Sequence, residues 1–290
     1  MKIVTDSAAD MSAAELQAFD VVEAPLFIQF PDGEIKSSDI SADDFYNRLR
    51  AMQPTIPTTA QPSAGIFAQI YRQVAEVDRE ILSVHISSGL SGTSQAAQLG
   101  ASQVSQDAAV TVWDTMTLSG GERFQVLAAA AAAQAGWPLA AIQQRLTELR
   151  AQTEVIYTLE TLEYLARGGR IGRVQALAGA LLKVKPIIRV EHNDGKYSTV
   201  SKGRNISQAL ATIAEHLHSI YGATPLWVTV LHGQFAVQAD ALTNLLIGKL
   251  NVAKLEVQRI SPVLGVHTGP GIVGVAVAPM SLLEDLLAVD

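Results

Sequence analysis

Ser87-Ser88-Gly89-Leu90-Ser91-Gly92-Thr93-Ser94-Gln95 is the stretch whose reading decides the fold. The apolar run before it, Ile81-Leu82-Ser83-Val84-His85-Ile86, reads as a buried strand. The run after it, Gln95 to Leu99, is rich in helix formers. Strand, Gly/Ser/Thr turn and helix start together make the layout of an anion-binding loop. Glycines let the backbone approach a ligand, and the free amides and dipole of a helix N-terminus favour negative charge. Ser91 and Thr93 add hydroxyl donors. The stretch contains no lysine and does not match G-x-G-x-x-G, so it is not the phosphate loop of nucleotide hydrolases. A plain helix-capping Ser/Gly turn would have the same composition.

Working outward, strands alternate with helices. Lys2 to Thr5 reads as a strand ending at Asp6-Ser7, and Ser12-Ala13-Ala14-Glu15 has the capping-box pattern. Val22 to Phe30 and Glu34 to Lys36 flank a Pro-Asp-Gly turn, and Ser41 and Ser63 stand at N-cap positions. Between them, Pro54 to Pro62 reads as a proline-rich link carrying Thr59. Residues 117–135 are nearly all helix formers and include six consecutive alanines. Such alternation predicts a parallel α/β sheet. Near residue 154 the texture changes. Strands are expected at 155–159 and 186–190, a hairpin turn at Asn193-Asp194-Gly195, helices at 206–220 and 236–250, and strands at 226–231, 255–260 and 272–278. We therefore expect two α/β domains, 1–154 with a parallel sheet and 155–290 with a mixed one.

Composition narrows the function. The 290 residues suffice for two domains. Apolar residues make up 48% but aromatic ones only 6%, so a pocket carved from this core would be aliphatic. The formal net charge of −7, with no block of lysine or arginine, argues against nucleic acid as a partner. With no cysteine, disulfides, thiol catalysis and cysteine-ligated zinc are excluded. Asp6 arrives too early for a signal peptide, and the apolar run Val126 to Ala133 is too short to cross a bilayer. A cytoplasmic protein is the expectation.

Ligands of open α/β sheets bind at the carboxyl ends of strands. Asp6-Ser7, Ser87 to Thr93 and Asp114-Thr115 all follow expected strands and can share one edge. A serine hydrolase would use Ser91, although Gly89-Leu90-Ser91-Gly92-Thr93 lacks the final glycine of a nucleophile elbow, and Asp6 with His267 would have to complete the triad. A metal-dependent phosphotransferase would use Asp6 and Asp114. His85, His192, His216, His218 and His232 show no metal-ligand spacing.

Three further clusters join the first: Pro57-Thr58-Thr59-Ala60-Gln61-Pro62-Ser63, Leu165-Ala166-Arg167-Gly168-Gly169-Arg170-Ile171-Gly172, and His267-Thr268-Gly269-Pro270-Gly271. With Ile3-Val4-Thr5-Asp6-Ser7 and the Ser91 loop, in this order, they resemble the DegV family of bacterial fatty-acid-binding proteins across nearly the whole chain. One departure is Ala60, where the family usually has serine. The resemblance implies a two-domain DegV-like fold that carries long-chain fatty acid such as palmitate or oleate without catalysis or cofactor. It implies that Thr59 and Ser91 hold the carboxylate, with Thr93 and His267 close by. It also implies a separate fatty acid kinase as partner, for which Arg170 (or Arg167 or Arg173 in its place) and Arg204 suit phosphate or an acidic surface. Leu162, Leu165, Ile171, Leu177, Leu181, Ile187 and Ile188, near the Gly-Gly-Arg-Ile motif in sequence, are the expected walls of the acyl tunnel.

Overall fold

The helix Ser119–Gln134 is buried on every side: each residue from Ser119 to Ala132 is inaccessible, including Glu122, Arg123 and Gln125. Its alanines let sheets approach from two directions. Gly120 and Gly121 bring one sheet closer still, since a Cβ would lie 2.6 Å from the Ala276 methyl at Gly120 and 2.6 Å from Val155 Cγ2 at Gly121. The computed structural model describes residues 1–175 and 184–287.

Strands β1 (Lys2–Asp6), β2 (Val21–Ala24), β6 (Glu80–His85) and β7 (Ala109–Asp114) form a parallel sheet in the order β2-β1-β6-β7. Strands β3 (Phe27–Phe30), β4 (Gly33–Lys36) and β5 (Thr58–Ala60) form a small antiparallel sheet in the order β4-β3-β5. The mixed sheet runs β10-β9-β8-β13-β11-β12, from β8 (Glu154–Leu159), β9 (Lys185–Val190), β10 (Tyr197–Gly203), β11 (Pro225–His232), β12 (Asn251–Arg259) and β13 (Ile272–Pro279). The helices are α1 (Ala13–Ala18), α2 (Ala42–Ala51), α3 (Ala64–Ala75), α4 (Thr93–Ser102), the central α5 (Ser119–Gln134), α6 (Leu139–Gln152), α7 (Glu163–Arg167), α8 (Ile206–Tyr221), α9 (Ala236–Lys249) and α10 (Pro262–Thr268).

Helix α5 packs on β1 and β6 on one side and on β8 and β13 on the other, so one helix serves both large sheets. Strand alternation divides the mixed sheet into two faces. Ile156, Ile187, Val273, Val275 and Val277 join the layer under α8 and α9, whereas Val155, Tyr157, Ile188, Ile272 and Ala276 join the core around α5. The expected caps are present: Ser12 and Glu15 form the capping box, and the Ser41 and Ser63 hydroxyls accept from Asp44 N and Ile66 N.

Two elements depart from the reading of the sequence. Thr58–Ala60 is a strand rather than a link, because it pairs with Phe27 to Gln29 at the edge of the small sheet. His267 sits in the last turn of a helix, α10, rather than in a turn alone. The signal for that helix is Ser261-Pro262, a proline at the first helical position. Helix α10 leaves the mixed sheet and packs on α2, β3 and β5, carrying His267 to Thr59.

Candidate functional site

Thr59 stands on β5, paired across the ladder with Ile28. Its Oγ1 lies 2.8 Å from His267 Nε2. The Gly168-Gly169 turn backs the other face of the imidazole, where a Cβ on Gly168 would collide with Nδ1. His267 Nδ1 is buried and has no hydrogen-bond partner among the described residues. Burial, helped by the positive charge of Arg170, pushes His267 down from 6.5 to about 4, so the ring is neutral at pH 7.

The loop after β6 supplies the second pair of hydroxyls. Ser91 Oγ and Thr93 Oγ1 are 2.7 Å apart, and Thr93 N donates to Ser91 Oγ at 3.3 Å, at the first turn of α4. The loop is braced from three sides. Asp6 accepts from Ile86 N at 3.1 Å, Asp114 accepts from Ser88 N at 3.2 Å, and Ser87 Oγ donates to Gly195 O at 2.9 Å. Gln61 packs on Gly92, where a Cβ would stand 2.6 Å from Gln61 Nε2. Thus Thr59 and the Gly168-Gly169 turn both reach His267.

Thr59, Ser91, Arg170 and His267 line one cavity of about 50 Å³, together with Ala60, Gln61, Leu90, Tyr197 and Leu264. Thr93 stands behind Ser91 and is fully buried. A second cavity, of about 20 Å³, lies between α5, the mixed sheet and α10, walled by Leu118, Val155, Tyr157, Leu231, Ile260 and Ile272. Tyr197 and Leu264 line both cavities and separate them. A third cleft, of about 350 Å³, opens beside the first, shares Leu90, Arg170 and Tyr197 with it, and adds Arg173 and Lys196.

Five of the seven expected tunnel residues are described, and they lie away from the two small cavities. Leu162, Leu165, Ile171, Ile187 and Ile188 are buried, yet none lines either small cavity. Strand alternation turns Ile187 to the α8–α9 face, away from α5. Leu177 and Leu181 lie outside the described residues. Arg204 is exposed beyond the far end of β10, roughly 20 Å along a seven-residue strand from Tyr197, so it does not join Arg170. Tyr197, Leu264, Leu118 and Leu231 were missed. Each comes from a different element, and no spacing in the sequence links them.

The enzyme readings lose their residues. Ser91 Oγ pairs with Thr93, and Asp6 bonds His85 Nδ1 at 3.0 Å rather than His267. The carboxylates of Asp6 and Asp114 accept from backbone amides, and the described residues contain no cluster of three or more His, Cys, Asp or Glu side chains with the geometry of a metal site. A Ser83–His85–Asp6 chain does exist, but it is sealed in the core.

Residues 1–280 match the model of DegV, a family of uncharacterised proteins. The chain belongs to the DegV family. A DegV domain-containing protein of Deinococcus radiodurans is 36% identical over 278 residues, covering 96% of this chain and 95% of that one. Among solved structures, a DegV-family protein of Thermus thermophilus described by its fatty acid binding superposes with a TM-score of 0.89 at 31% identity, covering 96% of this chain and 99% of that one. A stearic-acid-binding protein of Eubacterium ventriosum superposes with a TM-score of 0.86 at 27% identity, covering 96% and 98%. Both neighbours are described by their fatty-acid binding. Among the described residues, no helix is long and apolar enough to cross a membrane.

Proposed function

We propose that the chain binds a long-chain fatty acid non-covalently, with its carboxylate between Thr59, Ser91 and His267 and its tail in the apolar cavity beyond Tyr197 and Leu264. The observation that carries this reading is the junction itself. A hydroxyl–imidazole pair, a second hydroxyl pair and one guanidinium meet at a cavity separated from an apolar one by just two side chains. A carboxylate there accepts from Ser91, Thr59 and Arg170, and His267 completes the shell once its proton sits on the nitrogen facing the ligand. Arg170 adds the full positive charge that the hydroxyls lack. The tail enters by displacing Leu264 and Tyr197 towards the apolar side. Burying a chain of roughly sixteen carbons is worth on the order of 10 kcal/mol before association costs. The two cavities, of about 50 and 20 Å³, must open severalfold to admit palmitate, stearate or oleate.

The units proposed to hold the ligand are residues 1–154 and 155–290, which carry the parallel and the mixed sheet; the head group lies where α10 and the Gly-Gly-Arg motif of the second meet β5 and the Ser91 loop of the first. We further propose carriage and presentation in the cytoplasm, with a separate fatty acid kinase as partner. The support for presentation is the cleft adjoining the carboxylate cavity, lined by Arg170, Lys196 and Arg173, the last paired with Asp194; its cations suit a transferred phosphoryl group. Mass spectrometry of an organic extract of the purified chain tests the central reading. Stoichiometric fatty acid is the expected result; absence of lipid, with no uptake of added palmitate or oleate, overturns it.

A further inference from the structure

At the opposite end of α10 from His267 lies a cleft of about 430 Å³ that shares no lining residue with the carboxylate cavity. Its walls combine two carboxyls, Asp10 and Glu23, with the guanidinium of Arg259, a set of serine hydroxyls and apolar side chains such as Ile40. Asp10 accepts from Ser261 N at 2.8 Å and from Ser119 Oγ, and Glu23 accepts from Ser7 Oγ at 3.0 Å. Burial pushes Asp10 up to about 6 and raises Glu23 as well. Arg259 donates Nη1 to Asp43 at 2.7 Å.

The wall is also polar beyond its own needs. Gln258 Oε1, Arg259 Nε, Arg259 Nη2 and Ser261 Oγ are all buried without a hydrogen-bond partner among the described residues. Nε and Nη2 form the side-on fork of the guanidinium, whose Nη1 is held by Asp43, and Arg259 lines the cleft. Unpartnered buried polar groups are uncommon in folded proteins and call for water or ligand. No mirror of this cluster is needed for the fatty-acid reading.

We infer that this cleft is a second binding site, for a small neutral polyhydroxylated molecule between glycerol and a hexose in size. An anion placed here faces two carboxyls, and a cation faces Arg259. Hydroxyl groups suit both, donating to Asp10 and Glu23 and accepting from Arg259 and the serines. The C–H faces of a polyol then lie on Ile40.

Ligand-observed NMR on the full chain, titrated separately with glycerol, glucose, inorganic phosphate and putrescine, tests the assignment. Glycerol or glucose saturates the site, and Glu23→Gln and Ile40→Trp each weaken that binding by at least about tenfold while oleate uptake is unchanged. Circular dichroism confirms that both variants are folded. The site assignment fails if neither polyol saturates, or if saturation survives both substitutions. The ligand class fails if phosphate or putrescine saturates a site that Ile40→Trp abolishes.

Discussion

Two histidines in this molecule sit among hydroxyls, and they are built in opposite ways. His85 lies in the parallel sheet with every polar atom matched. Asp6 takes one ring nitrogen at 3.0 Å and the amides of Ala8 and Ile86, Ser83 Oγ lies 2.7 Å from the other nitrogen, and Tyr71 OH lies 2.8 Å from Ser83. Among the described residues, the His267 ring has one partner, Thr59, and leaves Nδ1 unmatched, and it borders a cavity. The same residue types therefore build a closed structural network in one place and line a cavity, the proposed ligand site, in the other. A closed set of bonds specifies the core, whereas an open set beside empty space is disposed to take a guest.

The largest effect expected from this contrast is on the closed side. Asp6→Ala strips partners from His85 and from two buried amides, and should lower unfolding free energy by about 3–5 kcal/mol, seen as a fall in the urea midpoint. His267→Ala, with so little to lose, should move that midpoint by only about 1 kcal/mol at pH 7 while weakening oleate binding. If Asp6→Ala proves mild and His267→Ala severe, the contrast is wrong.

The pH dependence sharpens the same contrast. Between about 4 and 6.5 the unfolded chain holds a proton on His267 that the folded chain does not. The proton-linked penalty is absent above pH 6.5 and grows as pH falls, reaching a total of about 3 kcal/mol near pH 4. Relative to the parent, His267→Asn should flatten this acid limb in urea titrations. Loading the parent with oleate should flatten it too, because a carboxylate beside the ring favours its protonated form. An acid limb of equal steepness in parent and variant would show that His267 is not held neutral by burial.

On the open side, Ser91→Ala and Thr59→Ala should each cost about 1–3 kcal/mol in fatty-acid affinity through loss of one head-group donor, with stability nearly unchanged. Leu264→Trp should penalise palmitate more than octanoate, since only the longer tail needs the space past Leu264. Equal loss for both acids would remove Leu264 from the acyl path.

How much of this was legible beforehand follows from how far apart the parts lie in sequence. Local signals served well. The Ser12, Ser41 and Ser63 caps, the strand before Ser87 and the alanine-rich helix each depend on neighbours a few residues away. Thr59, Ser91, Arg170 and His267 could be named together only because the resemblance supplied their meeting. Helix periodicity says nothing of the contact between residues 59 and 267. The tunnel expectation rested on closeness in sequence to the Gly-Gly-Arg motif, and its five described residues do not line the two small cavities. The apolar cavity is walled from the start of α5, from β8, β11 and β13, and from α10, which meet only because α5 is thin enough to be shared by two sheets. Ile187 shows how unforgiving this is: one step along a strand puts the side chain on the other face of the sheet.

The smallest expected effect concerns Ala60, which lines the proposed carboxylate cavity. Its methyl leaves the head group to Thr59, Ser91, His267 and Arg170. Ala60→Ser adds a hydroxyl that either donates to the bound carboxylate or, in the empty protein, joins a wall that already holds the unmatched His267 Nδ1. Both outcomes amount to no more than about 1 kcal/mol, but they differ in sign between states. The substitution should strengthen oleate binding a few-fold while leaving the unliganded protein no more stable, or slightly less so. Measured as paired titrations of binding and unfolding, an equal gain in both would mean that the new hydroxyl finds its partner within the protein. The open shell around His267 would then be closable without a ligand, and the contrast with His85 would be one of degree rather than of kind.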